Sequence, residues 1–121
     1  MSETSATYET RDLISSDRVE GTVVYNLAGE RLGTIQRFMV DKRSGKAHYA
    51  VLQFGGHSGI GGDCYPIPWE MLTYQPNHGG YVVEITRDQL GDAPHYGESV
   101  TPEYDRDYNR QIHSHYGLIY Y

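Results

Sequence analysis

The sequence is 121 residues long, which allows one domain and one hydrophobic core. Leu, Ile, Val and Phe number only 24, yet 20 of them lie in Leu13–Leu90 and 12 tyrosines add aromatic area; a core of about 80 residues with poorer tails excludes a large enzyme, a coiled coil and a polytopic membrane protein. The net charge of −6 resides mostly in the two ends, and Lys42 and Lys46 are the only lysines, so no basic cluster exists to neutralise phosphates and nucleic-acid binding by the chain alone is excluded.

Residues 1–12 are polar and aperiodic and predict a disordered tail, with neither the basic nor the apolar segment of a secretory signal. Val19–Asn26 is β-branched and aromatic and predicts a strand, followed by turn chemistry at Asn26 and Gly29. Gly33–Lys42 predicts its partner. Ile35 and Arg37 share one parity while Phe38 and Val40 share the other, and a bulge reconciles the two halves. Asp41 and Gly45 predict a hairpin turn into Ala47–Phe54, whose two faces are both apolar, as suits a central strand or a barrel wall. Gly55–Asp63 is a glycine-rich loop, and Cys64–Ile67 a short strand that Pro66 and Pro68 confine to an edge or rim.

Trp69–Leu72 has room for one helical turn, and Thr73–Gln75 with Tyr81–Thr86 forms a second hairpin. Thr86 and Gln89 have capping-box spacing, which predicts a single turn over Arg87–Leu90. Short strands joined by short turns, with no long helix between them, argue an antiparallel all-β domain over residues 13–97. Residues 98–121 form a helical tail. Thr101-Pro102-Glu103 starts a helix, and Tyr104, Tyr108, Ile112 and Tyr116 recur on one face until Gly117 stops it. Such a stripe buries too little to stand alone, so it must dock on this domain in cis or on a second copy in trans. These four residues are the expected interface.

No catalytic constellation is found, and no cofactor or metal ligands are assigned. Gly55–Gly62 lacks the order and the lysine of a phosphate loop and precedes a strand rather than a helix. Cys64 beside Asp63 and His57 has no cation to activate a thiolate, and Ser58 has no nucleophile elbow. Glu20 and Glu30 are two carboxylates among sixteen, and Asp105 and Asp107 read as solvated helix surface. His113 and His115 are two apart and fall on different helix faces, which is the wrong spacing for a zinc pair. One cysteine cannot form a disulfide framework and points to a cytoplasmic setting. The longest uncharged run, Ala47–Gly62, falls short of the ~20 apolar residues of a membrane span, so a soluble chain without membrane insertion is expected.

Several segments taken together resemble the PRC-barrel family: Leu13–Gly21, Val24-Tyr25-Asn26, Gly29-Glu30 with Gly33 and Ile35, Asp41-Lys42 with Ser44-Gly45, Tyr49–Gly56, Gly59-Ile60-Gly61, Tyr65–Trp69 and Leu90 with Ala93-Pro94. The family includes the β-barrel of the photosynthetic reaction-centre H subunit and the C-terminal half of the ribosome-maturation factor. The resemblance implies a small, strongly bent antiparallel barrel of about six strands, with one-turn helices and here a C-terminal amphipathic helix. It also implies an adaptor role. Neither the H subunit's transmembrane helix nor the maturation factor's first domain is seen in this sequence, and no proton-delivery residue of the H subunit can be placed by motif. The expected function is a non-enzymatic interaction module, a homodimer with an unknown protein partner. The alternatives are a small-ligand or metal-binding barrel using the glycine-rich loop or His113 and His115, and, by resemblance alone, a regulator of an electron-transfer complex.

Overall fold

A computed structural model of the chain describes residues 13–54, 63–77 and 79–120. The expected N-terminal tail and most of the glycine-rich loop, including His57 and Ser58, lie outside the described residues. The elements run α1 (Ser16–Val19), β1 (Val23–Tyr25), β2 (Arg31–Val40), β3 (Ala47–Phe54), β4 (Asp63–Pro68), a 3-10 turn (Trp69–Met71), β5 (Thr73–Gln75), β6 (Gly80–Val82), α2 (Arg87–Gly91) and α3 (Arg106–His115). The six strands form one sheet in the order β4-β3-β2-β1-β6-β5.

Local chemistry sets the turns. Asn26 accepts from the Glu30 N–H at 2.9 Å and donates to the Glu30 carboxylate at 2.7 Å, closing the β1–β2 connection around Gly29, whose φ is +86°. Asp41 Oδ1 accepts from the Arg43 and Ser44 N–H groups, and Gly45 at φ +79° lets the chain return into β3. Thr86 accepts from the Gln89 N–H at 3.0 Å and caps α2. The parity change within β2 is resolved by a register shift between Ile35 and Arg37, with a second between Met39 and Val40. The shift places both Ile35 and Phe38 opposite the same face of β3, across from Leu52 and Ala50.

Two features of the expected barrel are corrected. First, β1 pairs with β6 in parallel, so the sheet is mixed rather than antiparallel. Second, β4 and β5 stand at the two ends of the strand order and do not pair, so the sheet is not closed into a barrel. One connection explains both. Only Trp69–Leu72 separates β4 from β5, and that stretch reaches about 17 Å at most. The end strands of a flat six-strand sheet lie about 24 Å apart, so this sheet must curl. The crossing also leaves β5 running in the same sense as β4, and the hairpin then turns β6 parallel to β1. Trp69 packs its ring against Phe38 of β2 at 5.7 Å and Tyr81 of β6 at 5.6 Å, tying strands from both halves of the curl.

The core lies inside this curl, around the fully buried Val24, Ile35, Leu52, Ile67, Val83 and Leu90. Tyr49, Ala50, Val51 and Leu52 are four consecutive buried residues, because β3 is flanked by strands and covered on both faces. No helix among the described residues is long and apolar enough to cross a membrane. At Gly33 in β2, a Cβ would strike the Gln53 carbonyl oxygen of β3, a backbone atom held in the ladder. Gly33→Ala is therefore expected to cost roughly 1–3 kcal/mol, read as a lower urea midpoint at unchanged slope.

Candidate functional site

Strand β4 is a sheet edge, and its sequence prevents another strand from extending it. Cys64 exchanges backbone hydrogen bonds with Tyr96 on the side away from β3, at 2.7 and 3.0 Å. The alternation of an antiparallel ladder sends the backbones of Pro66 and Pro68 to that same outer side, where neither can donate. Beyond Tyr96 the cover is helical: α3 packs against β4.

The expected helix start at Thr101 is corrected, because the N-cap is Asp105, whose carboxylate accepts from the Tyr108 N–H at 2.9 Å. Asp is as good a cap as Thr, and Tyr104 cannot be helical. Its φ is +58°, the only positive value of a non-glycine among the described residues. Such a backbone costs on the order of 1–3 kcal/mol, and its surroundings hold it in place. The ring touches Tyr49 at 5.5 Å, Tyr108 at 5.3 Å and Tyr96 at 6.1 Å, its hydroxyl is 2.7 Å from that of Tyr96, and its carbonyl accepts from Asn109. The far end of α3 is a Schellman turn: Gly117 at φ +75° donates to Ser114, and Leu118 donates to His113 while packing on the core.

Of the four expected interface residues, Ile112 is 0% exposed and Tyr116 is buried, both within the core of their own chain, while Tyr104 and Tyr108 are half-buried against it. Sequence reading missed the polar hub beside them. Tyr49 Oη donates to Asn109 Oδ1 at 3.1 Å and lies 3.3 Å from His113 Nδ1. Asn109 Nδ2 donates to the Tyr104 carbonyl and, at 3.3 Å, to the Tyr120 hydroxyl. Asn109 and His113 form an i, i+4 pair bordering the aromatic stripe, which was the available signal.

The two helix histidines are engaged separately. His113 Nδ1 donates to the Asn109 carbonyl at 2.8 Å, and His115 Nε2 donates to the Gln89 carbonyl at 2.7 Å, tying α3 to α2. Among the described residues no group of three or more His, Cys, Asp or Glu side chains is placed to hold a metal ion. His95 stacks on Tyr65 with centroids 4.6 Å apart. The Cys64 thiol is buried, and burial raises its pKa, so it is poorly nucleophilic.

Burial also raises the phenol pKa values of Tyr49, Tyr104 and Tyr116, and pushes that of Tyr108 up to about 12. The hydroxyls of Tyr108 and Tyr116 are buried and find no hydrogen-bond partner among the described residues. Tyr116→Phe is therefore expected to leave stability unchanged or to raise it, since an unpaired buried hydroxyl carries only its desolvation cost. Ile112→Ala is expected to lose about 2–5 kcal/mol; thermal unfolding of the two variants checks both. In alkali, phenols in the unfolded chain ionise near their ordinary value of 10.0 while these stay protonated in the fold. Stability is thus fully present below pH 10 and falls as pH rises through the folded values. Phenolate absorbance from these four residues should appear together with loss of near-UV circular dichroism.

Residues 11–90 match the PRC-barrel domain family, about two thirds of the chain, and all six strands fall inside the match while α3 lies beyond it. No curated protein matches the chain. With a curled six-strand sheet built on that matched segment, the chain belongs to the PRC-barrel domain family.

Proposed function

We propose that this chain is a non-enzymatic adaptor of the PRC-barrel family, a cytoplasmic module that self-associates as a homodimer and holds protein partners on its sheet. The observation carrying this reading is that a helix from outside the family-matched segment supplies part of the core. Ile112 of α3 is fully buried among residues of 11–90, at the end of a linker made mostly of exposed residues. The sheet therefore bears an acceptor surface for an amphipathic aromatic helix. Its centre is apolar and its border carries tyrosine hydroxyls and an amide, the mixture of protein–protein interfaces. The opposite edge, β5, has no strand on its outer side among the described residues, and Tyr74 there is 39% exposed. That edge is the surface offered to a chain of a different kind.

Native mass spectrometry of the untagged protein at high micromolar concentration tests the reading. A dimer is expected for the natural chain and for Tyr74→Lys, and its loss is expected for Ile112→Asp. A natural chain that stays monomeric throughout removes the self-association. A Tyr74→Lys variant that alone becomes monomeric moves the self-contact to the β5 edge.

A further inference from the structure

The segment joining the sheet domain to α3 is a loop that leaves and returns to one spot. Tyr96 and Tyr104 bracket residues 97–103, yet their hydroxyls are 2.7 Å apart and their rings touch. Six of the seven bracketed residues are exposed, Val100 at 71%, and Glu98 is held by Gln36 and Gln53. The return forces Tyr104 into the left-handed region, where a bulky aromatic residue is strained. Opening the loop to an extended path frees Tyr104 from that conformation and carries α3 away from its own sheet. Seven extended residues span up to about 25 Å, enough to deliver a helix to a neighbouring molecule.

The seat of α3 is suited to release. Two of its phenol hydroxyls find no partner among the described residues and regain water on undocking. The polar contacts that tie the helix to the rest of the chain, Asn109 to Tyr49 and His115 to the Gln89 carbonyl, are ones that water can replace, while Ile112 is its apolar anchor. The uncovered seat, beside Tyr49 of β3 and along β4, would be an exposed surface of mixed character beside a proline-bearing edge that no strand can cover. The group that fits it is the one that left, and an identical helix from a second chain remakes the contacts of Tyr108, Ile112 and Tyr116.

We infer that α3 is an exchangeable element: two copies of this chain associate by seating each other's α3, with residues 97–103 as the hinge. A strained hinge loop whose closed form demands an unfavourable backbone is the arrangement that favours such exchange. The exchange rests on the self-association proposed above and specifies which residues cross.

Gln111 on α3 and Asp92 after α2 line the same open cleft of about 830 Å³, which permits a direct test. The Gln111→Cys, Asp92→Cys double variant is treated with a flexible bis-maleimide, Cys64 being buried, and the monomer and dimer fractions are run on denaturing gels. Exchange predicts a covalent dimer from the dimer fraction and an internally linked monomer from the monomer fraction. A dimer fraction that yields only internally linked monomers overturns the exchange while leaving self-association standing. No dimer fraction at any concentration overturns both. Deleting Ser99 and Val100, which shortens the hinge without touching the seat, is expected to shift the population from monomer to dimer mass with unchanged circular dichroism. A deletion variant that stays monomeric with α3 undocked overturns the exchange independently.

Discussion

Four residues carry this chain from one edge of its sheet to the other, and the architecture follows from how short that crossing is. Trp69–Leu72 cannot span a flat six-strand sheet, so the sheet curls until β4 and β5 come within reach of one another. Curling gives the small domain an inside. Ile35, Leu52 and Ile67 meet there, and Trp69 sits where the ends of the curl approach, with Phe38 and Tyr81 on its ring. The bulge in β2 serves the same end, because a bulged strand bends and twists more than a regular one.

A curled sheet that stops short of closure still has edges. At β4 the chain uses its own C-terminal third: Tyr96 pairs with Cys64, the prolines refuse further strands, and α3 covers what remains. A helix can close such an edge because its backbone groups are satisfied internally, so it asks only for side-chain packing from the strand beneath. The helix is tethered by a mostly exposed loop and meets the sheet through tyrosines, two of whose hydroxyls find no partner among the described residues. The core of the family-matched segment thus depends on an element outside it.

Much of this was legible residue by residue. The conflict of parity between Ile35–Arg37 and Phe38–Val40 located the bulge, and Thr86 with Gln89 marked the start of α2. Asp41 with Gly45 and Asn26 with Gly29 set two turns, and the stripe of Tyr108, Ile112 and Tyr116 identified the buried face of α3. Each of these signals is complete within a few residues of sequence. The helix start was misplaced because Thr101-Pro102-Glu103 and Asp105 are both competent caps. The choice between them fell to Tyr104, whose ring is required by Tyr49 and Tyr96 from distant parts of the chain. The hub of Tyr49, Asn109 and His113 was invisible for the same reason, since Tyr49 and Asn109 lie sixty positions apart.

By itself the sequence determined most of the strands, their turns, the cap of α2, the apolar faces and the family, because those depend on local backbone preference and on periodicity. The helix at Ser16–Val19, whose last residue reads as the start of a strand, and the cap of α3 escaped it. Tertiary structure alone decided that β6 runs parallel to β1, that the sheet curls without closing, that Tyr104 accepts a left-handed backbone, and which tyrosine hydroxyls find a partner. These depend on the reach of one short connection and on contacts between residues far apart in the chain. No local pattern encodes those quantities, since they exist only once the whole chain is packed.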